Sequence, residues 1–301
     1  MITGASGLLG LNFALAVDGR QHQVTGVDYR NPLGWINFKT RQADLTEPGI
    51  IEKLVEEIKP EVILHCAAMA NVDDCEKRPQ DAQHVNAELP GKIAASARKH
   101  SIKMVHISTD AVFDGQKGNY NENDIPNPLS IYARTKRDGE LVVLSANPQA
   151  LVARVNFYGW SISGTRSLAE FFVNNLADGK DVKGFTDILF CPMMVLDLAD
   201  TLLETVKRDL AGLYHVVGPE SMSKYDFGVA IAKQFGFDDK LVHPAFVSDG
   251  GLAAARSPNL TLSTQKLVQA LGHPLPAFAQ GLAKFHNQYR HGFPQMLKSL
   301  T

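Results

Sequence analysis

Cysteine is scarce: Cys66, Cys75 and Cys191 are three among 301 residues. They are too few and too scattered for a disulfide framework or a closed zinc site. No apolar stretch approaches the roughly 18–20 residues of a membrane helix. The opening MITGASGLLG has neither a basic n-region nor a small-residue cleavage site, so it is not a secretory signal. Charge of one sign does not cluster either. The 30 basic and 32 acidic residues leave a net charge of −2, and no run is long enough to make an electrostatic nucleic-acid surface. Internal repeats and low-complexity linkers are missing. These absences exclude fibrous, secreted, membrane-spanning and disordered classes. They imply a cytoplasmic protein with no metal, no nucleic acid and no membrane among its partners.

What is present is an alternation of strand-like and helix-like segments in the first half. Gln23–Asp28, Glu61–His65, Lys103–Ser108 and Ala150–Val155 are nearly continuous in apolar residues, as strands buried on both faces of a parallel sheet are. Helical patterns lie between them, over Gly7–Val17, Gly49–Ile58, Gln83–Lys99 and Ile131–Leu144. The alternation predicts an α/β fold with a doubly wound, Rossmann-type parallel sheet. The second half loses that rhythm, with helices predicted over Ser167–Asn175, Leu196–Lys207, Lys224–Phe235, Thr264–Leu271 and Ala277–Tyr289, and a strand over Gly212–Val217. A dinucleotide-binding body is expected over residues 1–155, completed by about 190–217. A smaller C-terminal α/β substrate-binding lobe is expected from 156–189 and 218–301. Met1-Ile2-Thr3 leaves only a stub of a first strand, so residues upstream of Met1 are expected to be missing.

The segment Thr3-Gly4-Ala5-Ser6-Gly7-Leu8-Leu9-Gly10 sits between that stub and a helix. Gly4 permits a tight turn, Gly7 lets a phosphate approach the backbone, and Gly10 allows close helix–strand packing. A pyrophosphate would then meet N–H groups at a helix N-terminus, where the dipole favours negative charge. A glycine loop alone marks no more than a βα turn. Here the next strand ends at Asp28, 18 positions after Gly10, where a carboxylate can accept ribose hydroxyls. The residues expected around the nucleotide are Gly4, Ser6, Gly7, Leu8, Asp28, Tyr29 and Arg30. Asp28 repels a 2′-phosphate while Arg30 could pair with one, so NAD(H) or NADP(H) is expected, with the balance towards NAD(H).

Tyr132 and Lys136 are at i and i+4 on one helix face. Free tyrosine, with a pKa of about 10, is a poor acid–base group near neutrality. A neighbouring ammonium is expected to lower that value, so that Tyr132 can exchange a proton at a carbonyl or hydroxyl. Such a pair is common on solvated helices. It gains meaning from Ser108-Thr109-Asp110-Ala111-Val112-Phe113-Asp114-Gly115, which follows a buried strand at the sheet edge where ligands bind. Thr109 there could orient the reacting oxygen towards Tyr132.

At these residues the chain resembles an extended short-chain dehydrogenase/reductase, and is most similar to the dTDP-4-dehydrorhamnose reductase branch. The likeness rests on TGASGLLG at 3–10, ADL at 43–45, HCAA at 65–68, VNA at 85–87, STDAVFDG at 108–115 and YNENDIPNPLSIYARTKRDGE at 120–140. GLYHVVG at 212–218 and ARSPNLTLSTQKL at 255–267 extend it almost to the end. The resemblance implies catalytic Thr109, Tyr132 and Lys136, with Lys136 also holding the nicotinamide ribose. It places Asp44 and Leu45 beside the adenine and Cys66, Ala67 and Ala68 along the cofactor. Asn86 would support the cofactor site. Asp110, Ala111, Asn156 and Phe157 would face the sugar, and Arg256 the nucleotide diphosphate. It further implies a homodimer built from the helices around 83–99 and 131–144.

Two departures touch the sugar pocket. Ala111 stands where that branch usually has tyrosine, and Arg154–Gly159 replaces a segment that usually contains tryptophan. The stretch Gly184–Pro192 diverges too and is expected to line the same pocket. The implied activity is reduction of a keto group on a nucleotide-activated deoxysugar. An NAD-retaining epimerase is the related alternative. A 4,6-dehydratase is disfavoured because Ala111 occupies the place of the second carboxylate in its Thr-Asp-Glu motif. The chain also resembles the regulatory beta subunit of methionine adenosyltransferase, so a non-catalytic nucleotide-binding role is the alternative from another class. His65 and His106 are expected to be satisfied core or pocket-edge histidines, Cys75 and Cys191 ordinary buried thiols, the Phe278–Phe285 stripe core, and Glu56 and Glu57 solvated.

Overall fold

The computed structural model describes residues 1–18, 22–34, 36–250 and 257–300. Its centre is a seven-stranded sheet: β1 (Ile2–Thr3), β2 (Thr25–Asp28), β3 (Lys39–Gln42), β4 (Val62–His65), β5 (Lys103–Thr109), β6 (Leu151–Val155) and β7 (Gly212–Val216). The spatial order is β7-β6-β5-β4-β1-β2-β3, and every neighbouring pair is parallel. The order reverses between β1 and β4, which opens a crevice above their carboxyl ends, where ligands bind in such sheets. The expected Rossmann-type fold is the fold observed.

Strand side chains alternate between faces, and both faces are apolar. Ile63, Met104 and Val152 pack under α2 (Ile50–Ile58), α3 (Leu89–Lys99) and α4 (Ile131–Ala146), against Ile51, Val55, Ile93, Ala97 and Val143. Leu64, Val105, Leu151 and Ala153 point the other way, into a larger core with α1 (Leu8–Val17) and α5 (Val195–Lys207). Continuous apolar strands are therefore what a sheet covered on both sides demands. The strand Lys39–Gln42 escapes that pattern. It is a polar edge strand, and its charged residues guard the open edge against pairing with another chain. The opposite edge is covered by the helix Gln265–Leu271, whose Lys266 donates to Leu213 O at 2.7 Å and lies over the Tyr214 ring.

After β6 the chain leaves the sheet and returns for β7. Residues outside the sheet form three short ladders. Phe157–Tyr158 pairs with Met193–Met194, Leu189–Phe190 with Met222–Ser223, and Val182–Phe185 with Val242–Ala245. Phe285 is fully buried and stacks on Trp160, with ring centroids 4.1 Å apart, so the Phe278–Phe285 stripe does form core. The helix expected to run unbroken through Gln83–Lys99 instead begins with a π-helical turn at His84–Glu88 before α3. That wide turn presents Asn86 inward, and it meets α4 at Gly139.

A Cβ on Gly139 would lie 2.3 Å from the backbone oxygen of Asn86. Gly139→Ala is therefore expected to force α4 away from the π-helical turn and cost about 1–3 kcal/mol. Urea unfolding of the two chains measures the difference.

Candidate active site

The first half of the crevice is backbone. Gly4 has φ +65°, and a Cβ there would lie 2.9 Å from the backbone of Ala67. Glycine is thus required where the loop after β1 meets the loop after β4. A Cβ on Gly10 would sit 2.3 Å from Gly4 O, so α1 packs directly on the turn. No side chain caps α1 at Gly7, which leaves its first N–H groups available to an anion. Asp28, at the end of β2, accepts the Ser6 N–H on Oδ1 at 2.5 Å. Its Oδ2 is buried and has no partner among the described residues. Burial raises the Asp28 carboxyl above its usual range despite the Ser6 bonds. An uncapped helix beside an orphaned acceptor fits a dinucleotide with ribose hydroxyls to donate.

Tyr29 and Arg30 are exposed next to it, the guanidinium 4.9 Å from the Tyr29 ring centroid. Asp44 accepts both the N–H and the hydroxyl of Thr46, at 2.9 and 2.6 Å, and these bonds hold its carboxyl low. Leu45 turns inward against the α2 cluster. Cys66 and Ala67 are half-buried and Ala68 is exposed along the loop after β4. Asn86 lies fully buried behind that loop. Its Oδ1 accepts Met69 N–H at 2.8 Å, and its Nδ2 donates to Met69 O at 3.0 Å and Thr135 Oγ1 at 3.1 Å. Asn86 therefore ties the loop after β4 to α4 from behind, through both ends of its amide.

Thr109, Tyr132 and Lys136 converge where β5 meets α4. Ser130 caps α4 by accepting Ala133 N–H at 3.2 Å, so that the helix starts at Ile131, directly before Tyr132. The Thr109 hydroxyl lies close enough to the Tyr132 hydroxyl to favour its ionised form. The expected direction of the Tyr132 shift is reversed. Burial pushes the phenol up to about 12, the Thr109 bond opposing and the Asp110 charge adding to the rise. Lys136 does not counter this, because its ammonium is buried and donates to Ile107 O at 2.7 Å. Desolvation lowers Lys136 to about 8, against the pull of Glu140 and Cys66. Tyr132 is therefore a neutral phenol, the form that donates a proton.

On the pocket's other side Asp110 is buried, accepting from Thr109 Oγ1 at 3.1 Å and from Asn156 Nδ2 at 2.5 Å. Ala111 is half-buried, and its N–H donates to Thr109 Oγ1 at 3.2 Å. Phe157 packs partly into the large core. Burial raises the thiol of Cys191, from the divergent 184–192 stretch, to about 11, and the Asp110 charge adds a smaller rise. Arg256 falls outside the described residues.

Sequence reasoning missed the support beneath this site. Arg154 on β6 grips Glu140 on α4 with two bonds, of 2.9 and 2.7 Å, both side chains buried. Ser108 donates to Glu140 Oε1 at 2.5 Å. His215 accepts from Arg154 at 3.4 Å and donates through Nδ1 to Ser263 O at 3.2 Å. An arginine inside an apolar strand run was the available signal, since a buried charge needs a partner. The histidine expectation also needs correction. His65 Nδ1 pairs with Thr3 Oγ1 at 2.7 Å, but its Nε2 and both nitrogens of His106 have no partner among the described residues. The two rings stack on adjacent strands, 5.4 Å apart. Burial and the Lys136 charge keep both neutral.

The family model described as RmlD substrate binding domain matches residues 1–291. The chain is 32% identical over 286 residues to a probable low-salt glycan biosynthesis reductase of Haloferax volcanii, covering 94% of this chain and 95% of that one. It is 30% identical over 286 residues to the dTDP-4-dehydrorhamnose reductase of Aggregatibacter actinomycetemcomitans, covering 90% and 92%. It is also 30% identical over 279 residues to methionine adenosyltransferase 2 subunit beta of Rattus norvegicus, covering 89% and 80%. Among solved structures, a dTDP-4-dehydrorhamnose reductase from Clostridium acetobutylicum superposes with a TM-score of 0.83 at 27% identity, over 96% of this chain and 98% of that one. The Bacillus anthracis dTDP-4-dehydrorhamnose reductase in complex with NADP gives 0.82 at 25% identity, over 95% and 98%.

Removing one partner of the Glu140–Arg154 pair strands a buried charge. Glu140→Gln or Arg154→Met alone is expected to cost about 3–5 kcal/mol, and the two together much less than the sum. Chemical unfolding of the four chains in the cycle reads this.

Proposed function

The chain belongs to the RmlD substrate binding domain family, of the extended short-chain dehydrogenase/reductase type, and from that premise we propose that it is a sugar-nucleotide reductase that reduces a keto group on a nucleotide-activated deoxysugar. One observation carries this reading. A half-buried Tyr132 phenol, kept neutral by desolvation, stands beside the Thr109 hydroxyl at the carboxyl edge of β5.

The residues of the crevice would hold a nicotinamide dinucleotide. The Gly4–Leu8 backbone would receive the pyrophosphate, Asp28 the adenosine ribose and the Cys66–Ala68 loop the nicotinamide half. Tyr132 and Lys136 would flank the nicotinamide ribose. When bound, the reduced cofactor supplies hydride to the carbonyl carbon. Tyr132 gives its proton to the oxygen that becomes an alkoxide, and Thr109 orients that oxygen. Lys136, one of its protons given to Ile107 O, would offer the others to the nicotinamide ribose. Asp110, Ala111, Asn156 and Phe157 would shape the sugar side. The orphaned Oδ2 of Asp28 favours a free 2′-hydroxyl over a phosphate, so NAD(H) is the preferred cofactor.

A homodimer through α3 and α4 belongs to the same proposal. Leu141 is 54% and Val142 42% exposed on α4, apolar surface that a second copy would cover. Leu141→Glu is expected to convert the dimer to monomer in gel filtration. An unchanged elution volume, or a wild type that already elutes as monomer, contradicts it.

With a dTDP-4-keto-6-deoxysugar, the purified chain is expected to oxidise NADH with a higher kcat/KM than NADPH. Tyr132→Phe is expected to lower turnover by about 10²–10⁴-fold while nucleotide binding stays. Saturable binding with no turnover in the wild type would move the reading to the regulatory role of the methionine adenosyltransferase relatives.

A further inference from the structure

The backbone around Tyr132 is reached from two sides by the chain that follows β4. The first path runs through Asn86. That side chain binds both backbone groups of Met69 and donates to Thr135 Oγ1 at 3.1 Å. The Thr135 hydroxyl in turn donates to Tyr132 O at 2.9 Å. The second path runs through Glu76, whose Oε1 accepts the Ile131 N–H at 2.7 Å from 55 residues away. Ile131 is the first residue of α4, so its N–H has no partner within the helix.

Glu76 belongs to the helix Val72–Lys77, which follows the Cys66–Ala68 loop. That stretch is knit together by its own bonds. Asn71 caps the helix by accepting Asp74 N–H at 2.9 Å, and the buried Cys75 donates from Sγ to Met69 O at 3.2 Å. A carboxylate at a helix N-terminus ordinarily adds a little stability through the dipole. This one also joins the segment that would line the nicotinamide half to the residue directly before the proton donor.

We propose that Glu76 is a positioning residue that couples the nicotinamide loop to Tyr132, so that nucleotide binding sets the phenol in register with the hydride donor. The proposal rests on the reductase reading of the site. Glu76 acts through the Ile131 N–H and adds no group to the chemistry. A nucleotide lying along the loop steadies Met69 and the helix after it, and with them both bond paths to the Tyr132 backbone. Those paths restrain α4 at its first turn, where the helix's own hydrogen bonds are incomplete. Proton transfer needs Tyr132 within hydrogen-bond reach of the substrate oxygen, and a small misplacement costs much of the rate.

Glu76 is exposed, so its substitution leaves the core intact. Glu76→Ala removes the acceptor, and Glu76→Gln keeps a side-chain oxygen for the same N–H. Both are assayed with a dTDP-4-keto-6-deoxysugar and NADH or NADPH, whichever binds wild type more tightly. Amide hydrogen exchange at Ile131 is followed by NMR with and without that nucleotide. Glu76→Ala is expected to lose about tenfold in kcat with both KM values within about twofold of wild type. Glu76→Gln is expected to regain most of that loss. Ile131 is expected to exchange about tenfold or more slowly in wild type than in Glu76→Ala, and the nucleotide to slow it further in wild type alone. A wild-type kcat in Glu76→Ala, a Glu76→Gln as slow as Glu76→Ala, a loss carried by KM, or a wild-type Ile131 amide that the nucleotide leaves unchanged would overturn the coupling. A wild type in which the nucleotide slows Ile131 exchange but is not oxidised would support the coupling and sink the reductase reading alone.

Discussion

A charge pair buried between a helix and a strand holds the site in place. Glu140 and Arg154 meet between α4 and β6 with two bonds, of 2.9 and 2.7 Å, and the two side chains are almost wholly buried. Such a pair contributes little net stability compared with apolar residues of the same size, but it tolerates very few arrangements. Glu140 lies two helical turns beyond Tyr132 and one beyond Lys136. Ser108, which also binds Glu140, directly precedes Thr109. One carboxylate therefore fixes the helix carrying the phenol and ammonium relative to the strand carrying the threonine. Glu140 also favours the charged form of the buried Lys136, so the same group bears on both position and charge.

The reversal of strand order between β1 and β4 does the corresponding work for the nucleotide. It separates the loops after those strands, and the close approach of Gly4 to Ala67 shows how little space remains between them. Asp28 joins the two functions of its loop. One oxygen ties down the Ser6 N–H and the other is unclaimed. Burial accounts for the remaining electrostatics. It keeps Tyr132 protonated, keeps His65 and His106 neutral, and raises the Asp110 carboxyl. A ketone reduction needs a proton donor, and a phenol that resists ionisation is the competent state for that direction.

Much of this was legible in the residues. Gly4, Gly7 and Gly10, the carboxylate at Asp28 and the strand–helix alternation gave the sheet and its crevice. Thr109 at a strand end and the Tyr132–Lys136 spacing gave the centre of the site. What stayed hidden depended on distance through the fold. The segment Lys39–Gln42 has no apolar pattern, because an exposed edge strand needs none. The π-helical turn at His84–Glu88 arises from packing against Gly139, which no local periodicity records. The direction of the Tyr132 shift followed from burial of the phenol, which depends on how helix and strand pack and not on the spacing of Tyr132 and Lys136. The partner of Arg154 lay 14 residues away on another element, although a charge within an apolar strand was itself a signal.

The central claim is that hydride and proton meet at a sugar carbonyl held between Thr109 and Tyr132. Its most direct test is to incubate the chain with a dTDP-4-keto-6-deoxysugar and nicotinamide cofactor deuterated at the transferable position, and to read the product by NMR. Deuterium at the former carbonyl carbon, in a single configuration and absent with Tyr132→Phe, is the predicted result. A sugar recovered without deuterium, from a chain that binds both nucleotides, would contradict the account.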